Sequence, residues 1–454
     1  MSFLSNIAFG FARCTAVLAA AGVALAVTAV SPLAGDSSYG CANLDHNRSI
    51  PALEGIGGNF FRIQPDLRMY FPMDDALIED LARLSEALAA QGTTLVYLPV
   101  PPKGLTMPDF LPPEAHLYWF DPVVARRIYQ AAIGRLRDQG IMTVDLLDSL
   151  TNADPNVDLF FKADFHWTAL GAQRAAQAVA DAIEQDGAYA SLVTAEFETL
   201  PAGPERFVSA MRRLLQKSCV EALPEPMTDT FRTTEVVGTD IAVDIFGDAG
   251  ADTISLVGTS FSEVAQFNFS GFISQYSGLN VRNLAISGGN QFASISSYLT
   301  SKSFAEDRPR YLIWENPIYN NLAQFGDGPL EELVTAVLGG CDPVDASALH
   351  ILADDELSVD LADGSLVQAE MLLAEAGSDE SRELDLTFTD ATGRMRTQNV
   401  LRPPRFHTSG RFFIPIGSYS ADGFTALSIK FDRPAAQSAT ISACKTTQKV
   451  QVND

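Results

Sequence analysis

Basic side chains are scarce in this chain. Lys and Arg together number 31 against 56 Asp and Glu, for a formal net charge of -25 at pH 7. A field that negative repels nucleic acid and anionic membranes, so nucleic acid is excluded as a partner. An anionic substrate would need a local basic patch. Histidine is scarcer still, with five in 454 residues, so any histidine-based chemistry has few places to sit. Cysteine also numbers five, with no Cys-x-x-Cys pair. That removes the usual zinc signatures, and neither a metal nor an organic cofactor is expected. The main apolar run, Thr15–Val30, is 16 residues long, short of the roughly 20 that span a bilayer. Internal repeats are lacking, and no low-complexity tract follows that run.

The rest reads as globular: 47% hydrophobic and 19% charged residues. Domains usually run about 100–200 residues, so two or three are expected. Arg13 is the only charged residue before Asp36, and the Thr15–Val30 run is followed by SPLAGDSS. This pattern predicts a secretory signal peptide over residues 1–34, cut near Pro32-Leu33-Ala34, with an uncleaved anchor as the alternative. Cys14 would leave with it. Cys41, Cys219, Cys341 and Cys444 remain, an even number that favours two disulfides in an exported chain. Three pairings are possible. Cys41–Cys219 with Cys341–Cys444 is preferred, because each bridge then staples one domain.

Elements follow from periodicity. Residues 75–92 and 122–139 have helical spacing, and TTLVYLPV, IMTVDLLD (141–148) and RPRYLIWENPIYNNL carry near-continuous apolar runs typical of buried parallel strands. Thr168 is placed to cap a long Ala-rich helix ending near Gly187. TISLVGTSFSEV reads as strand, sharp turn and helix, and VRNLAISGGNQ as a short strand with a Gly-rich loop. Residues 188–250 are less patterned, with alternation near 233–246 that suggests an inserted hairpin. After about residue 340, alternating runs (384–390, 411–417, 426–432, 438–445) suggest a small antiparallel sandwich. The predicted fold is thus α/β, a parallel sheet flanked by helices over 41–338, followed by a β-sandwich over 341–454.

A serine nucleophile needs a base, an acid to orient it and donors for the oxyanion. Ser260 sits directly after an apolar strand, and Gly258 permits the tight turn. Taken alone, the turn is equally mere punctuation. Of the five histidines, His350 and His407 fall in the predicted sandwich, His46 lies beside Cys41, and His116 is in a polar loop. His166 alone combines a carboxylate two residues away, Asp164, with an adjacent helix start. In an extended segment that spacing puts both side chains on one side, so Asp164 can orient the imidazole while its other nitrogen faces the serine. A capping Asp beside a half-buried His is the alternative for the pair alone.

The joint pattern resembles the SGNH-like acetyltransferases of polysaccharide export, specifically the alginate O-acetyltransferases of the AlgX and AlgJ type. FFKADFHWTALGA resembles the family's Asp-x-His-Trp block and LVGTSFS the block with the nucleophile. NFSGFISQYSGLNVRNLA resembles the helix and strand that follow, and YLIWENPIYNNL the closing Trp-Glu strand. The likeness covers about residues 45–335. Its order, Asp-x-His before Ser, differs from ordinary SGNH hydrolases, which place the Asp-x-x-His block last. The resemblance implies Ser260 as nucleophile, His166 as base and Asp164 as its orienter, with Thr259 where a Gly-Asp-Ser block has Asp. Gly288 and Asn290, with the Ser260 backbone N–H, are the candidate oxyanion donors, Asn290 by position only. Lys103, in PVPPKG, resembles a family loop that either lines the glycan groove or is a solvated turn.

Between Ala391 and Arg411 lie five arginines and no acids: Arg394, Arg396, Arg402, Arg405 and Arg411. Guanidinium forks bind carboxylates in pairs of bonds, which suits an uronate polymer; the resemblance implies a carbohydrate-binding module here. Pairing with the acids of 342–390 is the alternative. The function implied is periplasmic O-acetyl transfer to an exopolysaccharide through an acetyl-serine, with acetyl arriving through a membrane-bound O-acyltransferase and other export-complex proteins. A polysaccharide acetylesterase with the same triad and a non-catalytic glycan-binding assembly protein are the competing readings.

Overall fold

The computed structural model describes residues 37–151, 157–236, 250–339, 341–343, 349–351, 356–361, 371–416, 423–433 and 439–444. The expected signal peptide and most of the 233–246 stretch lie outside the described residues. Residues 38–454 make one compact unit.

Short strands β1 (Ala52–Glu54) and β2 (Phe60–Arg62) pair antiparallel. The central strands are β3 (Thr94–Val100), β4 (Met142–Thr143), β7 (Thr253–Val257), β8 (Asn280–Asn283) and β9 (Tyr311–Pro317), while β5 (Phe197–Arg206) and β6 (Met227–Glu235) form a separate hairpin. The central sheet has the order β4-β3-β9-β7-β8, every pairing parallel. Its inner strands β3, β9 and β7 are buried and mainly apolar because both faces are covered, while the edge strand β8 is polar and partly exposed. Leu95 and Tyr97 of β3 join one core with the helices Asp75–Ala90, Pro122–Asp138 and Gly328–Leu338, while Val96, Leu98 and Val100 join another with Ala169–Glu184 and Phe269–Ser277. Period-two alternation along a strand dictates that division. Asp74, Asp121 and Thr168 cap three of these helices through their side-chain oxygens.

One expectation is corrected. The run 141–148 is a strand only over Met142–Thr143, because Asp145 Oδ1 accepts the Leu147 N–H at 2.9 Å and starts the helix Leu147–Thr151. Within 188–250 the described residues form a hairpin at 197–206 and 227–235.

Among the described residues nine more strands follow: β10 (Cys341–Pro343), β11 (Leu349–Ile351), β12 (Leu357–Asp360), β13 (Met371–Glu375), β14 (Glu383–Asp390), β15 (Met395–Leu401), β16 (Arg411–Pro415), β17 (Phe424–Phe431) and β18 (Thr440–Cys444). They form two antiparallel sheets, β10-β18-β13-β16 and β11-β12-β17-β14-β15. Leu384, Leu386 and Phe388 of β14 face inward against Leu372, Ala374, Phe412 and Ile414 of the other sheet. Disulfides join Cys41 to Cys219 and Cys341 to Cys444, the preferred pairing.

The turn between β15 and β16 docks on the α/β part. Phe406 enters the core beside Ile286, Phe292 and Ala293. Arg402 pairs with Glu332, both largely buried. The His407 N–H donates to Ser297 Oγ at 3.0 Å, and Arg411 donates to the Thr300 carbonyl at 3.0 Å while pairing with Glu375 at 3.3 Å. Arg402 and Arg411 are therefore held in a seam by carboxylates, the structural alternative for these arginines. The physical reason is simple: in so acidic a chain each guanidinium has found a carboxylate.

Candidate active site

Ser260 lies at the carboxyl end of β7, where open parallel sheets hold their ligands. β7 ends at Val257, and the backbone then turns sharply at Gly258. A Cβ there would come within 2.6 Å of Glu315 Oε2, so the elbow admits only glycine. Thr259 caps the short helix Ser260–Glu263, its hydroxyl accepting the Phe261 N–H at 3.4 Å.

Asp164 and His166 sit at the tip of a narrow loop. Its stem is closed by the Phe160–Trp167 bridge, by Phe161 N–H to His166 O (3.1 Å) and by Thr168 N–H to Leu159 O (2.9 Å). Asp164 Oδ1 accepts the His166 backbone N–H at 2.9 Å and lies 2.6 Å from Nδ1; His166 Nε2 lies 2.7 Å from Ser260 Oγ. With Nδ1–H donated to the carboxylate, Nε2 is left to accept the serine proton. The second carboxylate oxygen of Asp164 accepts the Ser209 hydroxyl. Burial alone would raise the Asp164 carboxyl, but hydrogen bonds from His166 and Ser209 outweigh it and hold the group below its ordinary value. Asp164 therefore stays ionised near neutral pH.

Aromatic rings enclose the imidazole. Phe165, Phe261, Phe207 and Phe267 have centroids 4.0, 4.9, 5.3 and 5.9 Å from it. They exclude water and strengthen the charges inside. Trp167 Nε1–H donates to Phe261 O at 3.0 Å, which ties the Asp-x-His loop to the residue after Ser260. Arg62 lies 3.8 Å over the Phe165 ring and is held by Asp66 and the Tyr319 hydroxyl.

Lys103 corrects an expectation. It neither lines a groove nor sits in a solvated turn: it is 1% exposed. Its Nζ donates to the carbonyls of Phe60 (3.1 Å), Phe161 (2.6 Å), Lys162 (2.9 Å) and Asp164 (3.1 Å). Burial pushes this ammonium down to about 7, against the pull of Asp66 and Asp164. Lys103 is a clamp beneath the loop that carries Asp164.

The 286–290 loop is stitched to the elbow. The Ile286 N–H donates to Gly258 O at 3.0 Å, and Ser287 Oγ donates to Glu263. Gly288 is exposed in the left-handed region (φ 68°), and Arg405 lies against it. Asn290 is exposed and uses its side-chain oxygen on the Phe292 N–H at 2.8 Å. Arg394 is exposed and paired with Asp390 at 3.0 Å, and Arg396 is exposed on β15. His116 is exposed and bonds its own turn at Pro113 O.

Sequence reasoning missed Ser209, Phe207, Phe261, Arg62 and Glu315. Ser209 had a signal, since Ser before AMRRLL is a helix cap; its hydroxyl accepts the Arg212 N–H at 2.9 Å. Glu315 had a weaker one, a lone acid inside an apolar strand, and the others act through tertiary proximity.

Residues 60–318 match the family model of the SGNH hydrolase-like domain of acetyltransferase AlgX. The alginate biosynthesis protein AlgX of Pseudomonas putida is 33% identical over 377 residues, covering 79% of this chain and 77% of that protein. The probable alginate O-acetylase AlgJ of Pseudomonas aeruginosa is 29% identical over 255 residues, covering 52% of this chain and 63% of that one. The solved structure of Pseudomonas aeruginosa AlgX superposes with a TM-score of 0.74 at 25% identity, covering 90% of this chain and 98% of that structure. The parallel sheet, the elbow and loop at its carboxyl end, and these matches together show that this chain belongs to the AlgX family of SGNH hydrolase-like acetyltransferases.

Proposed function

We propose that this chain transfers acetyl groups to hydroxyls of an alginate-like uronate exopolysaccharide in the periplasm, through an acetyl-Ser260 intermediate. The observation that carries the reading is the unbroken chain Asp164–His166–Ser260, at 2.6 and 2.7 Å.

In the first half-reaction His166 Nε2 takes the Ser260 proton while Oγ attacks the acetyl carbonyl carbon of the donor. The tetrahedral oxyanion is met by the Ser260 backbone N–H and the Gly288 loop, where Asn290 keeps both its Nδ2 and its backbone N–H as donors. Collapse breaks the bond to the donor's leaving group, which takes the proton from His166. In the second half a glycan hydroxyl gives its proton to Nε2 and attacks acetyl-Ser260. Collapse breaks the Oγ–acyl bond, and His166 returns the proton to Ser260. Asp164 holds Nδ1–H throughout and offsets the imidazolium charge.

The domain reading is an acetyltransferase domain over 41–338 and a carbohydrate-binding module over 341–454, behind a signal peptide over 1–34. The two disulfides fit a secreted chain. Arg394, Arg396 and Arg405 remain the exposed candidates for uronate carboxylates, with acetyl supplied by a membrane-bound O-acyltransferase partner. The test is incubation with an acetyl-ester donor and unacetylated uronate oligomers, read by mass spectrometry. Acetylated oligomers from the parent and none from Ser260→Ala are expected; release of free acetate alone would make it an esterase.

A further inference from the structure

Glu315, on β9, is fully buried, and Thr259 and Ser262 answer its carboxylate from the elbow. Its Oε2 accepts the Thr259 N–H at 2.7 Å and the Ser262 hydroxyl at 2.9 Å, and the Thr259 hydroxyl reaches Oε1 at 3.0 Å and Oε2 at 3.1 Å. These bonds flank Ser260 on both sides. Gly258 fits against the same carboxylate and leaves no room for a Cβ. We propose that Glu315 is a positioning residue, whose carboxylate fixes the 258–262 elbow so that Ser260 Oγ meets His166 Nε2. This rests on the proposed role of Ser260.

The arrangement also accounts for Thr259. An Asp at this position would set a second carboxylate against Glu315 in a buried site, where two like charges are costly. Threonine supplies a hydroxyl donor to Glu315 instead, and still caps the helix. Elbow and carboxylate are thus complementary: the partners are donors, and Glu315 is the acceptor.

That complementarity is sensitive to protons. Burial pushes the Glu315 carboxyl up to about 7, although bonds from Thr259 and Ser262 pull the other way. The titratable groups around it are Tyr97 on β3, Tyr319 beyond β9 and, across the elbow, His166. Protonation would remove the charge that the Thr259 N–H and the two hydroxyls are bonded to and turn one acceptor oxygen into a donor, which weakens the hold on the elbow.

The experiment measures kcat and KM for a small neutral acetyl ester between pH 5 and pH 9, with Ser260→Ala as control. Glu315→Leu keeps the volume but leaves the Thr259 N–H without an acceptor. It should lower kcat by about 100-fold, as misplacement near the reacting atoms does, with KM within about twofold. Glu315→Gln still offers Thr259 an acceptor but cannot titrate. As a neutral mimic of the protonated acid it should bring kcat at pH 8 down toward the parent's acid-side value, a loss of up to about tenfold, and its remaining acid-side fall in kcat should move to lower pH. A folded Glu315→Leu with parental kcat overturns the proposal. If Glu315→Leu does not fold, a Glu315→Gln pH profile superimposable on the parent's overturns it. Activity remaining in Ser260→Ala would instead overturn the nucleophile assignment.

Discussion

The elbow at 258–262 and the arginine-rich turn at 391–411 both stand out in the sequence by their chemistry, yet they do different work. At the elbow the singled-out residues converge: Ser260, His166 and Asp164, up to 96 positions apart in the chain, form one hydrogen-bonded line. At the turn they disperse. Arg402 goes to Glu332 and Arg411 to Glu375 and Thr300, while Arg405 stays exposed beside Gly288. A site is recognised by unlike groups that need one another in one place. A cluster of like charges in an acidic chain more readily finds acids.

The largest expected effect is at the elbow. Ser260→Ala and His166→Ala should each lower acetyl-ester turnover by at least about 10³-fold, because such groups act as a unit; unchanged thermal unfolding would show the fold is intact. His116→Ala should turn over at the parental rate, and a dead His116→Ala would break the assignment of the base. Asp164→Asn should cost about 10²–10⁴-fold, since the imidazole loses its orienter.

Lys103→Met should come next. Three carbonyls of the Asp164 loop and that of Phe60 on β2 lose their donor, so kcat should fall by roughly 10–100-fold through misplacement of that loop. The pH dependence has a definite sign. The folded ammonium, depressed to about 7, is deprotonated where an unfolded lysine still holds its proton. Stability from this group therefore rises with pH from about 7 to about 10. Lys103→Met should flatten that slope in melting temperatures taken across the window.

Most of the α/β architecture was legible because its signals are local. Near-continuous apolar runs mark β3 and β9, the strand-turn pattern marks β7, and Thr168 marks a helix start. Asp164 and His166 were legible as a pair because they are two residues apart, although the segment is a tight loop rather than an extended one, with Asp164 Oδ1 accepting the His166 N–H at 2.9 Å. Lys103 was misread because the sequence shows a lysine in a Pro-Pro-Lys-Gly loop and cannot show four carbonyls converging on it. Glu315 sits inside an apolar strand as an apparent flaw in the pattern, and only the fold brings Thr259 and Ser262 to it. The strand 141–148 was overextended because Asp145 outbids the ladder for the Leu147 N–H.

Smaller effects separate the arginines from one another. Arg402→Ala should lower stability by about 3 kcal/mol, the cost of leaving a largely buried Glu332 unpaired. It should leave turnover of a small neutral ester unchanged. Arg405→Ala should do the reverse: parental melting temperature, with weaker binding of long uronate polymers at low salt and a difference that shrinks as salt screens it. If Arg405→Ala binds polymer like the parent, the turn is wholly structural and the contrast with the elbow becomes complete.

The central claim is that acetyl passes through Ser260. Intact-protein and peptide mass spectrometry after brief exposure to an acetyl-ester donor tests it directly. The account predicts one acetyl group on the peptide containing Ser260, discharged when unacetylated uronate oligomers are added and absent in Ser260→Ala. Acetylated oligomers formed by Ser260→Ala, or an acetyl group that stays on Ser260 when oligomers are added, would contradict it.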